Sequence, residues 1–302
     1  MIAPMYARRY PTSPTDEAAI AVAAPAVQAI PLIFSSPHSG TRYPADFIAA
    51  SRLDPLALRR SEDSFVDEIF AAAPRLGAPL VKALFARAYC DPNREPYELD
   101  PAMFEDELPA FANTASLRVA GGLGTIARVV GAGGEIYRRK LTFAEAERRI
   151  DDCYRPYHAA ISSLLEATRR SFGVAVLIDC HSMPSVGGPM DRDEGRVRAD
   201  VVLGDRYGSA CAPALVDLAE RTLAALGYRV ARNQPYAGGF NTHYYGRPAE
   251  GLHALQIEIN RAIYMDEARI ERRPSLARVA ADMTRLIEAL GQVDQRALHS
   301  GH

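Results

Sequence analysis

The sequence predicts an α/β fold: a single domain whose mostly parallel or mixed central sheet carries helices on both faces. Three observations lead there. Apolar runs of strand length, above all Val174-Ala175-Val176-Leu177-Ile178, suit strands covered on both sides. Amphipathic helical segments alternate with these runs, the order that builds parallel sheets. Polar residues begin where the runs stop, with Pro37-His38-Ser39-Gly40 after one and Asp179-Cys180-His181-Ser182 after another. In open α/β sheets, ligands collect just beyond the carboxyl ends of the strands.

Residues 1–30 are rich in Ala and Pro and short of large apolar residues, so a loosely ordered arm is expected ahead of a domain spanning 31–292. Pro31 to Ser36, PLIFSS, reads as the first strand. From Asp63 to Leu76 the residues Phe65, Val66, Ile69, Phe70 and Ala73 recur at helical spacing, and Gly77 supplies a C-terminal stop. Pro79 to Phe85 reads as the next strand and leads into Arg87, Tyr89 and Asp91-Pro92-Asn93-Arg94. The stretch from Glu95 to Glu135 has few helical or strand signals and is expected to be a long loop lining a substrate pocket. Its GGLG and GAGG pieces lack the GxGxxG spacing after a strand that a phosphate cradle requires.

Thr142 and Glu145 spell a capping box that opens a helix to about Arg170, with Pro156 as a kink site and Tyr154, Tyr157 and His158 close together. After the central strand, Ala199 to Gly204 reads as a strand, Ala212 to Leu226 as a helix closed by Gly227, and Tyr228 to Ala231 as a short strand. The polar, aromatic loop NQPYAGGFNTHYYGRP then leads to a strand over His253 to Arg261. There Gln256, Glu258 and Asn260 share one face and Leu255, Ile257 and Ile259 the other. Pro274 to Leu290 reads as a surface helix, and 293–302 as a frayed tail.

With 302 residues, 48% of them hydrophobic, the chain can bury a sizeable core, and no linker divides it. Lys and Arg number 35 against 37 Asp and Glu, a net charge of −2, which gives no basic face for nucleic acid. Cys90, Cys153, Cys180 and Cys211 lie far apart with no CxxC pair, so neither a disulfide framework nor a zinc ribbon is indicated. Free thiols fit a reducing compartment. No apolar run reaches membrane-span length, and the N-terminus lacks the apolar centre of a signal peptide. A soluble, cytoplasmic protein without nucleic-acid or membrane partners is expected.

Two histidines and a carboxylate around an open position form a common hydrolytic zinc site, because imidazole and carboxylate suit zinc and leave room for water. His38 and His181 both follow apolar runs, and Glu62, Asp63 and Asp67 start or flank the first helix between them. Asp179, two residues before His181 in an extended chain, shares its face and can orient it. Glu258 sits inside a sheet, where a carboxylate is costly unless paired or used. Each has a plainer alternative. His38 could satisfy a turn, Asp63 cap a helix, Asp67 face solvent, and Glu258 pair with an arginine. Arg87 and Arg94 could be surface charges, and His158 and His243 packed or hydrogen-bonded side chains.

Several motifs together resemble the N-formylglutamate amidohydrolase family. They are PHSG at 37–40, EDSFVDEIF at 62–70, RAYCDPNR at 87–94, the pattern from Ile136 to His158 ending in YRPYH, DCHS at 179–182, and PYAGGFNTHYYGRP with ALQIEINR up to Arg261. The similarity runs over roughly 31–267 in the same order, and the family is similar in turn to zinc carboxypeptidases and aspartoacylases. The resemblance implies a zinc-carboxypeptidase-like fold with zinc, or another divalent metal, on His38, Asp63 and His181; Glu62 competes with Asp63 for the carboxylate position. It implies that Asn93 and Arg94 grip a substrate carboxylate, Arg87 polarises the scissile carbonyl and Glu258 is the general base. Pro92 departs from the aliphatic residue usual there in the aspartoacylases. The implied reaction is zinc-dependent cleavage of N-formyl-L-glutamate to formate and L-glutamate, at the end of histidine degradation. The alternative is deacylation of another N-acyl amino acid or a small peptide at the same site. A binding protein that lost catalysis fits less well, because it has no chemical reason to keep the whole set.

Overall fold

Residues 18–131, 133–189 and 191–299 are described by the structure, a computed structural model. In chain order the strands are β1 (Ile20–Ala23), β2 (Leu32–Ser36), β3 (Leu80–Ala83), β4 (Val129–Val130), β5 (Gly134–Glu135), β6 (Ala175–Met183), β7 (Val201–Gly204), β8 (Val230–Arg232), β9 (Leu252–Asn260), β10 (Met265–Asp266) and β11 (Glu271–Arg272). The α-helices are α1 (Ala45–Ala50), α2 (Pro55–Arg59), α3 (Val66–Ile69), α4 (Leu117–Ala120), α5 (Phe143–Arg149), α6 (Arg155–Phe172), α7 (Pro213–Ala225), α8 (Phe240–Tyr245), α9 (Leu276–Gly291) and α10 (Gln295–His299).

Seven strands make one mixed sheet in the order β1-β3-β2-β6-β9-β7-β8. β3, β2, β6 and β9 run parallel, β1 closes one edge antiparallel to β3, and β7 pairs antiparallel with β9 and parallel with β8. Every residue of β2, β6 and β9 is buried, as their apolar runs require. Each large aliphatic side chain so placed contributes about 1.5–3 kcal/mol over leaving it in water. α3, α7 and α9 pack on the face that carries Val176, Ile178, Leu255 and Ile257. α5, α6 and the long loop up to Leu141 cover the opposite face, around Ala175, Leu177 and Ala254.

Strand register places the polar residues. Across β6 and β9, Asp179 lies beside Gln256 and His181 beside Glu258, while Ser35 of β2 lies beside Asp179. Their alternation with the apolar residues puts all five on the α6 face, at the carboxyl ends of three adjacent parallel strands.

Four expectations are corrected. The arm expected over 1–30 contributes β1, an edge strand held against β3, because Ile20 and Val22 extend the sheet; residues 1–17 lie outside the described residues. The tail expected to fray over 293–302 forms α10 and buries Leu298 in the α7/α9 core; 300–302 lie outside the described residues. The helix expected over 63–76 is broken into α3 and a 3₁₀ turn, Ala73–Leu76, because Phe65 takes a left-handed conformation and Pro74 restarts the chain. The polar loop after Asn233 contains α8. The Thr142–Glu145 capping box is formed, and Pro156 is absorbed by a π-turn over Ile150–Tyr154 rather than by a break. Among the described residues no helix is long and apolar enough to cross a membrane.

Candidate metal centre

His38 lies two residues beyond β2, Asp63 precedes α3, and His181 is the seventh residue of β6. The fold draws them together: Asp63 Oδ2 stands 3.2 Å from His38 Nδ1 and 2.9 Å from His181 Nδ1. All three residues are buried, and one donor atom from each lies within 4.8 Å of the others. The other Asp63 oxygen, Oδ1, accepts from Arg261 Nη2 at 2.9 Å and from Ser182 Oγ at 3.4 Å, which turns Oδ2 toward the imidazoles. Burial alone would raise the Asp63 carboxyl, but the hydrogen bonds of His181 and then His38 hold it well below the ordinary carboxylate range.

Each imidazole is gripped from behind. His38 Nε2 is 2.8 Å from Asp91 Oδ1, and His181 Nε2 is 2.8 Å from Asp179 Oδ2. A carboxylate on Nε2 fixes the ring orientation and leaves Nδ1 facing the shared centre, as a metal-ligating histidine requires. Asp179 is itself held by Ser35 Oγ at 3.1 Å and Asn241 Nδ2 at 3.2 Å, and Tyr157 hydrogen-bonds Ser35 in turn. Two imidazole nitrogens and a carboxylate oxygen, oriented and out of water, form a donor set that fits zinc. Without a cation this arrangement favours protonated His181: burial lowers its pKa, but Asp179 and then Asp63 hold it well above the ordinary histidine value.

Glu258 borders this cluster from β9. Gln256 Nε2 donates to Glu258 Oε1 at 2.8 Å, and Oε2 has no protein hydrogen bond among the described residues. Burial raises the carboxyl to about 7, against the pull of the His181 charge. A carboxyl poised near neutrality can take and return a proton. The loop before α8 and the first turn of α8 close the cluster tightly: Gly239 N donates to Gln256 Oε1 at 2.7 Å and Asn241 N to Asn93 Oδ1 at 2.8 Å. A Cβ on Gly239 would stand 2.4 Å from Asn93 Nδ2, so this backbone needs glycine.

Asp91 organises the arginines. Its Oδ2 is 2.9 Å from Arg87 Nε and 3.7 Å from Arg94 Nε, and its Oδ1 accepts from Asn93 N at 2.8 Å. Arg94 also donates to Leu123 O and to Asn93 O, both at 2.8 Å. The Asn93 carboxamide turns inward, with Nδ2 3.1 Å from His181 Nε2.

The structure therefore brings His38, Asp63, His181, Arg87, Asn93, Arg94 and Glu258 into one site. Glu62 is turned away: it accepts from Tyr43 Oη at 2.6 Å, Arg59 Nε at 3.2 Å and Ser64 Oγ at 2.7 Å, which leaves the carboxylate position to Asp63. Asp67 pairs with Lys82 at 3.2 Å, and His243 is exposed on α8. His158 is packed: its Nδ1 is 2.8 Å from Tyr245 Oη, its Nε2 2.9 Å from Pro92 O, and burial brings its pKa down to about 4. Sequence reasoning missed Asp91, Asn241, Gln256 and Arg261 as site residues. Asp91 and Arg261 were visible only as parts of the DPNR and EINR motifs, while Gln256 carried a usable signal in its place two residues before Glu258.

The fold is a single-domain α/β one, and its buried polar cluster stands where such folds carry their sites; the relatives below make the chain a hydrolase acting on carbon–nitrogen amide bonds. The profile of the family described as N-formylglutamate amidohydrolase matches residues 30–265. The chain belongs to that family. It is 42% identical to the crystal structure of N-formylglutamate amidohydrolase from Ralstonia eutropha JMP134, with a TM-score of 0.85 over 93% of this chain and 99% of that one. It is 30% identical over 267 residues to an N-formylglutamate deformylase of Pseudomonas aeruginosa, covering 86% of this chain and 92% of the relative. A second N-formylglutamate deformylase, from Pseudomonas putida, is 28% identical over 241 residues, 79% of this chain and 83% of the relative.

Proposed function

We propose that the protein is a metal-dependent amidohydrolase that cleaves N-formyl-L-glutamate to formate and L-glutamate, with His38, Asp63 and His181 holding zinc or another divalent ion. The observation that carries this reading is the convergence of His38 Nδ1, His181 Nδ1 and Asp63 Oδ2 beside a buried Glu258. The relatives from Ralstonia and Pseudomonas are N-formylglutamate amidohydrolases or deformylases by name, which supports this substrate. A divalent cation held by His38, Asp63 and His181 would supply Lewis acidity to the reaction.

The chain's own groups supply the rest. Glu258 accepts a proton from the attacking water as the new C–O bond forms at the formyl carbon. Arg87, fixed by Asp91 through Nε, turns the rest of its guanidinium to the negative charge developing on the formyl oxygen. Glu258 then returns the proton to the leaving nitrogen as the C–N bond breaks, giving the free amine and formate. Arg94 receives a substrate carboxylate, and Asn93 holds the segment that presents it. Asp91 and Asp179 keep both imidazoles in register throughout. A reducing, cytoplasmic setting and a place at the end of histidine degradation complete this reading; the four cysteines, all buried and free, agree with the first.

The test is formate release from N-formyl-L-glutamate by zinc-loaded protein beside a chelated sample. Chelator-sensitive release is expected. Zinc retained without release would move the substrate to another N-acyl amino acid or a small peptide, and neither zinc nor release would refute the enzyme.

A further inference from the structure

The turn that carries Asp91, Asn93 and Arg94 leaves three of its carbonyls outside any ladder. Among the described residues no backbone N–H donates to the oxygen of Tyr89, Pro92 or Arg94, although Cys90 to Asn93 are buried. Buried carbonyls need partners, and the side chains of one helical stretch supply all three. Arg149 Nη1 donates to Tyr89 O at 3.3 Å, His158 Nε2 to Pro92 O at 2.9 Å, and Tyr154 Oη to Arg94 O at 2.9 Å. All three donors belong to buried residues, and the Tyr154 and His158 rings brace each other with centroids 4.1 Å apart. With Asn241 N on Asn93 Oδ1, residues 92, 93 and 94 are each held separately.

This grip needs a register that an unbroken helix lacks. At about 100° per residue, an α-helix running straight from α5 into α6 would set Arg149 roughly opposite His158. The π-turn over Ile150–Tyr154 absorbs one residue, which swings Arg149 back by about 100° to the side of Tyr154 and His158. Arg94 gains most from the arrangement. Its Nε donates to Leu123 O and its Nη1 to Asn93 O, both at 2.8 Å, while Tyr154 ties down its carbonyl. Nη2 makes no hydrogen bond within the protein among the described residues, so one end of a fixed guanidinium is left for a ligand. A cation held in this way loses little freedom when an anion binds.

Resting on the reading of the site in which Arg94 receives a substrate carboxylate, we infer that Tyr154 is the positioning residue for that arginine. It touches neither substrate nor metal and acts through the Arg94 backbone. The π-turn is the device that lets a single helix present Tyr154, His158 and Arg149 to the same turn.

The experiment is a double-mutant cycle in zinc-loaded protein: wild type, Tyr154→Phe, Arg94→Gln and the pair, each checked for native circular dichroism and for zinc affinity by chelator competition. Tyr154→Phe is expected to raise KM for N-formyl-L-glutamate roughly 3–10-fold, the worth of one neutral hydrogen bond, with kcat within about twofold and zinc affinity unchanged. In the Arg94→Gln background the same change is expected to move KM less than about twofold, because the guanidinium it aims is gone. Arg94→Lys serves as the second background should Arg94→Gln not fold. A tyrosine that serves only the fold lowers the urea midpoint and leaves KM where it was. That result, or a Tyr154 effect of equal size with and without Arg94, overturns the inference. Calorimetric binding of L-glutamate to the same proteins separates it from the reading it rests on. Affinity that falls in Tyr154→Phe only while Arg94 is present, without formate release by wild type, keeps Tyr154 and discards the deformylase reading. Formate release with a KM indifferent to Tyr154 does the reverse, and wild type that neither releases formate nor binds L-glutamate discards both.

Discussion

Asp179→Asn is the sharpest perturbation of the centre, because it replaces one heavy atom and alters none of the proposed metal donors. Asp179 is fully buried; its Oδ2 faces His181 Nε2 at 2.8 Å, and its Oδ1 accepts from Ser35 Oγ at 3.1 Å and Asn241 Nδ2 at 3.2 Å. An asparagine has one acceptor for this ring of donors. If its oxygen stays on His181, its amino group meets that of Asn241, donor against donor, and about 1–3 kcal/mol of stability is lost. If the amide turns over, its amino group faces His181 Nε2 and drives the ring proton to Nδ1, the atom that faces Asp63. A cation held as proposed would then face an N–H instead of a lone pair, and its affinity is expected to fall roughly 10–100-fold, about 1.4–2.8 kcal/mol. Zinc affinity by competition with a chelator and stability by urea unfolding read both branches. Unchanged values on both measurements would refute the argument that Asp179 sets the His181 tautomer.

Two further predictions follow. Glu258→Gln is expected to retain zinc while kcat falls on the order of 10²–10⁴-fold, the usual worth of a general base, so unaltered turnover would remove Glu258 from proton transfer. His158, with its pKa brought down to about 4 by burial from an ordinary 6.5, makes folding stability pH-dependent. The folded state binds fewer protons than the unfolded chain between those values, so its stability is full above 6.5 and declines as pH drops toward 4. The loss is roughly 3 kcal/mol, at 1.36 kcal/mol per pH unit. His158→Gln should flatten that part of the difference between urea unfolding at pH 7.5 and pH 4.5; identical profiles would contradict a neutral, buried His158.

The sheet was legible in the sequence because runs such as Val174 to Ile178 are apolar on both sides, which suits strands covered on both faces. His38, Asp63 and His181 were legible as candidates because each stands where an apolar run ends or a helix begins. What escaped prediction depends on contacts between distant segments. Asp91 faces His38 across 53 residues of chain, and Arg261 reaches Asp63 across 198, so no local spacing marks either pair. The choice between Glu62 and Asp63 also needed the third dimension, since Tyr43, Arg59 and Ser64 claim the first and two imidazoles the second. Phe65 has a side chain suited to a helix and a backbone conformation that breaks one, a tertiary demand that periodicity cannot express.

The central claim is that one metal ion at His38, Asp63 and His181 drives hydrolysis. Titrating zinc into chelated protein while formate release from N-formyl-L-glutamate is followed tests it most directly. The account predicts that activity climbs to a plateau at one ion per chain and that His181→Ala neither retains zinc on dialysis nor recovers turnover. Full zinc retention by His181→Ala, or formate release that ignores the titration, would contradict it.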